Sequence, residues 1–132
     1  MNPHYAQVAE MAGHRCEYCG APEVVFNFPF EVEHIDPAAA IRDETSNWAL
    51  ACRACNVRKS NHLDGADPET GSPVPLFHPR KHTWHEHFRV DISSGEIFGL
   101  TPVGRASIAR LQMNLPNQLA ARMQWIRLGL FP

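Results

Sequence analysis

The sequence is organised around two short stretches, Cys16-Glu17-Tyr18-Cys19 and Cys52-Arg53-Ala54-Cys55. Each is a CxxC pair, and two such pairs are the usual sequence form of a zinc site with four thiolate ligands. Because four sulfur ligands complete the tetrahedral coordination shell, an ion held in this way supports the fold and leaves no open position for catalysis. The sequence therefore predicts one structural Zn²⁺ per chain, bound by Cys16, Cys19, Cys52 and Cys55.

Two other uses of the cysteines are open from the residues alone. They could form two disulfides in a secreted protein, but the start Met1-Asn2-Pro3-His4-Tyr5 lacks the basic and apolar parts of a signal peptide. A CxxC redox protein is expected in a βαβ setting, which this sequence does not indicate. No stretch approaches the roughly 20 apolar residues of a membrane span. We therefore expect zinc-bound cysteines in a reducing cytoplasm, without a membrane association.

The charge of the chain is unevenly distributed. The net charge of 132 residues is −2, which argues against a protein coated with basic residues for nucleic-acid binding. Residues 1–69 contain 11 acidic and 5 basic side chains, whereas residues 70–132 contain 3 acidic and 7 basic ones. A nucleic-acid surface would have to be local and would draw mainly on the second half.

The chain is long enough for one domain, and its patterns predict an α+β fold. We expect a first helix capped by Asn2-Pro3 and ending at Gly13, extended structure over 24–32, a helical turn over 38–41, a strand over 47–50 and a helix from Cys55. Trp84–Asp91 and Glu96–Leu100 have the pattern of a β-hairpin. Two further helices should follow, one from Thr101-Pro102 to about Asn114 and one after Pro116 that ends near Gly129.

Loop-forming residues divide this pattern into three parts. Residues 64–79 are rich in Pro, Gly, Asp and Ser, and they predict a connector that lies over the surface. Residues 1–63 would then be the zinc-stapled core, and residues 80–132 a β-hairpin plus a two-helix extension packed on it.

The 32 residues between the two CxxC pairs exceed the insertion of a simple zinc ribbon, and they carry Glu33-His34. The zinc site would bring this pair close to Asn56, which directly follows Cys55. Glu, His and Asn together can bind a hard divalent cation and activate a water. Adjacent strand residues point to opposite sides, so we expect a turn beginning at Ile35 to let Glu33 and His34 reach one cleft.

At this point the chain resembles the HNH endonuclease family. The resemblance is carried by Glu33-His34-Ile35-Asp36-Pro37, Asn47-Trp48-Ala49-Leu50 and Cys55-Asn56-Val57-Arg58-Lys59, and it covers about residues 14–62. More narrowly, the chain is similar to bacterial HNH proteins whose core is clamped by paired CxxC knuckles. The resemblance implies a ββα-metal core, in which a two-stranded antiparallel hairpin packs on a helix with the catalytic cation between them.

The resemblance also implies roles for four residues. His34 corresponds to the general base that deprotonates water, a task suited to histidine because the unperturbed pKa of this residue type is about 6.5. Glu33 and Asn56 correspond to the ligands of one catalytic Mg²⁺ or Mn²⁺, with Asn56 in the place of a frequent histidine. Asn47 corresponds to the middle residue of the motif, which holds the loop and orients the histidine.

Basic residues near this site predict the DNA contacts. Lys59 lies one helical turn after Asn56, and His62 follows it; Arg80 and Lys81 begin the most basic stretch of the chain. If that stretch is a strand, His85, His87 and Arg89 would share one face. That face could be a phosphate-contacting edge, a second metal site or a merely solvated, partly buried strand.

The sequence thus predicts an enzyme, a metal-dependent HNH endonuclease that hydrolyses phosphodiester bonds in DNA. The alternative is a noncatalytic zinc module that binds nucleic acid or protein. The set of Glu33, His34, Asn47 and Asn56 disfavours that alternative, because a binding module needs no base beside a metal ligand.

Overall fold

A computed structural model describes residues 2–42 and 44–132 of the chain. The fold is α+β, as predicted: the described residues form five α-helices and three separate two-stranded antiparallel sheets. In the described part of the chain, no helix combines the length and the apolar character needed to cross a bilayer.

The first half of the chain builds a hairpin between helices. Helix α1 spans Tyr5–Met11, strand β1 Glu31–His34, strand β2 Trp48–Ala51 and helix α2 Arg53–Lys59. Strands β1 and β2 pair antiparallel, with Glu33 opposite Ala49 and His34 opposite Trp48. Both helices pack against this hairpin, so the paired cysteines, the hairpin and α2 form one continuous unit.

The second half adds two small hairpins and three helices. Strands β3 (Asp64–Ala66) and β4 (Pro73–Pro75) form one hairpin, and β5 (Phe88–Val90) and β6 (Ile97–Gly99) form the other; helices α3, α4 and α5 span Trp84–His87, Pro102–Leu111 and Pro116–Arg127. Helix α4 contacts α2, β3, β4 and β6. It therefore joins the extension to the first half, and one buried apolar cluster runs from Val8 to Phe131.

Several boundaries differ from the sequence predictions. Helix α1 begins at Tyr5 rather than Pro3, because the Asn2 side chain accepts a hydrogen bond from the His4 amide in a preceding turn. The extended stretch predicted over 24–32 is a strand only from Glu31 onward, and a 3₁₀ turn occupies Glu23–Val25.

The second half departs from the predicted pattern at two places. The segment 64–79, predicted as a surface connector, contains the β3–β4 hairpin and ends in the buried side chains of Leu76 and Phe77. Residues 84–87 are helical rather than extended, so only three residues of the first predicted strand remain in β5. The division at 63 and 79 stays a prediction. Helix α4 has the predicted cap, since the Thr101 hydroxyl accepts a hydrogen bond from Gly104.

Candidate active site and zinc site

The four cysteines converge in the interior. Their sulfur atoms all lie within 4.8 Å of one another, and each cysteine is buried and free of a disulfide. The Cys19 and Cys52 sulfurs are 3.8 Å apart, which is about the edge length of a tetrahedron with Zn–S bonds of roughly 2.3 Å. The donor set and its spacing therefore fit a zinc ion.

The electrostatics of the cluster also favour a cation. Hydrogen bonding within the group, chiefly with Cys16, lowers the pKa of Cys52 and raises the pKa of Cys19 and Cys55. The buried thiols cannot all ionise without a positive charge between them. A divalent cation would supply that charge and release the shared protons.

Asn47 fixes the start of the loop that joins the two strands of the hairpin. Its side-chain oxygen accepts a hydrogen bond from the Asp36 amide at 2.8 Å, and its side-chain nitrogen donates to the Asp36 carbonyl at 2.9 Å. The Ile35 amide also donates to the Asn47 carbonyl. These contacts fit the loop-holding role predicted for Asn47, because they set the backbone immediately after His34.

Glu33 lies on the face of β1 that meets α2. It is 6% exposed, and its carboxylate accepts a hydrogen bond from the Tyr18 hydroxyl. Its other oxygen is 3.4 Å from the ammonium of Lys59. Burial raises the pKa of Glu33, while Lys59 and Tyr18 oppose that shift. Both partners therefore favour the ionised form that a cation ligand requires.

His34 lies on the other face of the hairpin. It is half-buried and directly opposite Trp48, so these two side chains share a face. Trp48 stacks on the ring of His4, with the ring centres 3.9 Å apart. The expectation that a turn lets Glu33 and His34 reach one cleft is therefore not met, because β1 includes both residues and they alternate across the strand.

Asn56 lies on α2, half-buried and one helical turn before Lys59. Residues three apart share a side of a helix, and the side that carries Lys59 meets β1 at Glu33. The fold thus places Asn56 beside the strand that carries Glu33, although 22 residues separate the two in the chain. Carboxylate and amide oxygens are ligands that Mg²⁺ accepts, so the pair suits a hard cation.

This arrangement of a hairpin on a helix, beside four clustered cysteines, agrees with the comparison to known families. Residues 16–62 match the family model described as HNH endonuclease. This segment, named the HNH domain after that match, is similar to the HNH endonuclease family. The match begins at the first zinc-site cysteine and ends at His62, so it includes β1, β2 and α2. Comparison with curated proteins and with solved structures gave no significant match.

The basic residues of the HNH domain and its extension are not all on the surface. Lys59 is 1% exposed and donates to the Ile35 carbonyl at 2.8 Å. This placement does not fit the phosphate contact predicted for Lys59. Arg80 forms a bidentate pair with Glu17 at 2.5 and 2.8 Å, so its guanidinium is already engaged by a carboxylate.

His62 and Lys81 remain accessible. His62 is half-buried and lines a small cleft with His78 and with Ile35, the residue that follows His34. Lys81 is exposed. The face predicted for His85, His87 and Arg89 does not form, because helix α3 ends at His87 and the period-two alternation is lost. Among the described residues, no further group of three potential metal ligands lies close enough to hold an ion.

Sequence reasoning missed Tyr18 as part of the HNH site. The residue lies inside the first CxxC pair, is 1% exposed, and extends its hydroxyl to Glu33. The indole nitrogen of Trp84 donates to the Tyr18 carbonyl, which fixes it from the other side. An aromatic residue between two zinc ligands could have suggested packing, but its contact with Glu33 depends on the fold.

Proposed function

We propose that this chain is a metal-dependent HNH endonuclease that hydrolyses phosphodiester bonds in DNA. The proposal is carried by one observation: the segment that matches the family folds as a hairpin and helix beside four clustered cysteines, and it contains Glu33, His34, Asn47 and Asn56. A cytoplasmic location suits the four unpaired thiols. The rival is a zinc module that binds nucleic acid or protein without cleaving it.

The proposed roles divide the hydrolysis between a base and a cation. In-line displacement at phosphorus needs a base at the attacking water and a positive charge at the phosphate oxygens. His34, at the end of β1, would accept the proton of the water, and Glu33 with Asn56 would hold a divalent cation. When bound, the cation supplies charge stabilisation for the phosphate in the transition state.

The surrounding residues would preserve this division. Asn47 fixes the backbone after His34 through its paired hydrogen bonds with Asp36. Tyr18 and Lys59 hold Glu33 in one orientation and keep it ionised. His62 and Lys81 would contribute phosphate contacts, which add affinity without selecting a sequence.

The test is a nicking assay on supercoiled plasmid with a titration of Mg²⁺ and Mn²⁺. His34→Ala should reduce the rate at saturating cation by the 10²–10⁴-fold that is typical of a lost general base, on the order of two to four decades. The control variant is His85→Ala, which removes an exposed histidine outside the HNH domain and should cleave like the wild type.

The cation ligands should behave differently from the base. Glu33→Gln and Asn56→Ala should weaken cation binding, so more Mg²⁺ should restore part of the activity. Their matched controls are Glu31→Gln on the same strand and the exposed Asn61→Ala just beyond α2. No cation-dependent nicking by the wild type, with equal behaviour of all variants, would support the binding module; unchanged cleavage by His34→Ala would exclude the proposed mechanism.

A further inference from the structure

Arg122 of α5 is a buried cation with no carboxylate partner in the described chain. It is 0% exposed, and its two terminal nitrogens donate to the carbonyls of Gly95 and Met113, both at 2.7 Å. A longer hydrogen bond of 3.4 Å reaches the side-chain oxygen of Asn114. These acceptors are neutral dipoles, so they orient the guanidinium without balancing its charge. A buried charge without an opposite charge is costly.

The remaining nitrogen of Arg122 is also unusual. Its Nε atom is buried and has no hydrogen-bond partner among the residues that the structure describes. Buried N–H groups are nearly always paired, so this donor is an exception that calls for a physical reason.

A chain of contacts links Arg122 to the cysteine cluster. The guanidinium carbon of Arg122 lies 5.8 Å from the ring centre of Phe131, and that ring packs so closely on Gly20 that an added Cβ would come within 2.8 Å of it. Gly20 directly follows Cys19 and closes the first CxxC turn by donating to the Cys16 carbonyl. Burial lowers the pKa of Arg122, and the charges of Cys19, Cys55 and Cys52 act in the opposite direction.

We propose that Arg122 is a positioning residue of the zinc site, the counter-charge through which α5 holds the four-thiolate cluster. A zinc ion with four thiolates carries a net charge of −2, and the guanidinium offsets part of it within the interior. The proposal gives the C-terminal extension a function in metal retention, outside the HNH match at residues 16–62.

The inference rests on the proposed zinc ion and does not depend on nuclease activity. Its experiment uses the zinc-loaded full chain and three variants. Arg122→Met removes the charge and keeps an unbranched apolar side chain; Arg122→Lys keeps a charge and loses the planar fork. Leu111→Ala is the control, because it removes packing from a side chain that is 1% exposed without changing any charge.

The first measurement is zinc transfer to a coloured competing chelator. Removal of a residue that supports metal ligands typically lowers metal affinity by about 10–100-fold, so Arg122→Met should release zinc correspondingly more readily, Arg122→Lys should be intermediate, and Leu111→Ala should stay close to the wild type. Equal zinc retention by Arg122→Met and the wild type would overturn the proposal. So would an equal loss in Leu111→Ala, because that would assign the effect to general destabilisation.

The second measurement uses Co²⁺ in place of zinc. Loss of a nearby positive charge raises the energy of the thiolate electrons, so the thiolate-to-cobalt charge-transfer band of Arg122→Met should move to longer wavelength, and that of Leu111→Ala should not. An unmoved band in folded Arg122→Met would contradict the proposal. If Arg122→Met does not fold, Arg122→Lys decides: a folded, zinc-containing lysine variant supports the counter-charge, and an equally unfolded one refutes it. A wild-type chain that purifies without zinc would instead refute the zinc assignment.

Discussion

Replacement of Lys59 by methionine tests the electrostatics of the proposed cation site. Lys59→Met keeps a side chain of similar length in a position that is 1% exposed, but it removes the ammonium 3.4 Å from Glu33 and the donor to the Ile35 carbonyl. Glu33 would then be a buried carboxylate with Tyr18 as its main polar partner. Removal of one member of a buried pair costs about 3–5 kcal/mol.

Protonation of Glu33 limits this cost. The ordinary pKa of its carboxyl is 4.5, so protonation at pH 7 spans about 2.5 pH units and costs about 3.4 kcal/mol at roughly 1.36 kcal/mol per unit. The lost hydrogen bond to Ile35 adds about 1 kcal/mol. We therefore expect Lys59→Met to lower the free energy of unfolding by about 4–5 kcal/mol at pH 7, with Glu33 protonated in the folded variant.

The pH dependence of the unfolding free energy shows whether Glu33 is protonated in folded Lys59→Met. Burial already raises the pKa of Glu33, and loss of Lys59 raises it further. The folded variant then binds a proton that its unfolded chain lacks, so its deficit relative to the wild type should shrink as the pH falls. The change should approach about 1.4 kcal/mol per pH unit between the raised pKa and the ordinary value.

The assay is urea unfolding of the zinc-loaded proteins at pH 6, 7 and 8, with exposed Lys81→Met as the matched control. The control should change the free energy of unfolding by less than about 0.5 kcal/mol. If Lys59→Met lowers the free energy of unfolding by less than about 1 kcal/mol, or by an amount independent of pH, Lys59 does not compensate the buried charge of Glu33.

Two further predictions concern the zinc ligands and the basic surface. Cys52→Ser should yield insoluble or unfolded protein, because structural zinc contributes about 10–16 kcal/mol in small domains; metal analysis and circular dichroism check this, and a folded zinc-free variant would contradict it. Lys81→Ala should flatten the slope of log K against log salt for DNA binding by about 0.9. Arg80→Ala should leave that slope unchanged and lower the melting temperature, because Arg80 is paired with Glu17; a flattened slope for Arg80→Ala would show that DNA displaces this ion pair.

The cysteine spacing and the family motif were sufficient to predict the centre of the fold. If the four cysteines bind one ion, their sulfur atoms have to meet. The hairpin lies between the two CxxC pairs in the chain and α2 begins within the second pair, so both are brought to the same place. Local signals of comparable strength also located α4, because Thr101-Pro102 combines a capping side chain with a fixed backbone. The α4 cap depends on residues that are neighbours in the sequence, and the cysteine cluster depends on one shared ion, so both can be predicted from the sequence.

The failures have a different physical origin. Helix α3 forms at residues 84–87 although its pattern suits a strand, because its Trp84 donates to the distant Tyr18 carbonyl and stacks near Phe88. Lys59 and Arg80 were expected at the surface, yet Glu33 and Glu17 engage them in the interior and at its edge. A charge in the sequence does not reveal its partner when that partner lies far away in the chain.

The contacts of Tyr18 explain why the zinc site and the proposed cation site belong to one structure. Strands β1 and β2 have four residues each, and an isolated hairpin of that size is marginal in water. The first CxxC turn holds Tyr18 between two sulfur ligands, and Tyr18 in turn holds the carboxylate of Glu33. A ligand for Mg²⁺ has to be fixed within narrow limits, because this ion demands nearly ideal geometry. The fixed zinc–sulfur geometry can supply that precision through one side chain, which a short hairpin alone cannot.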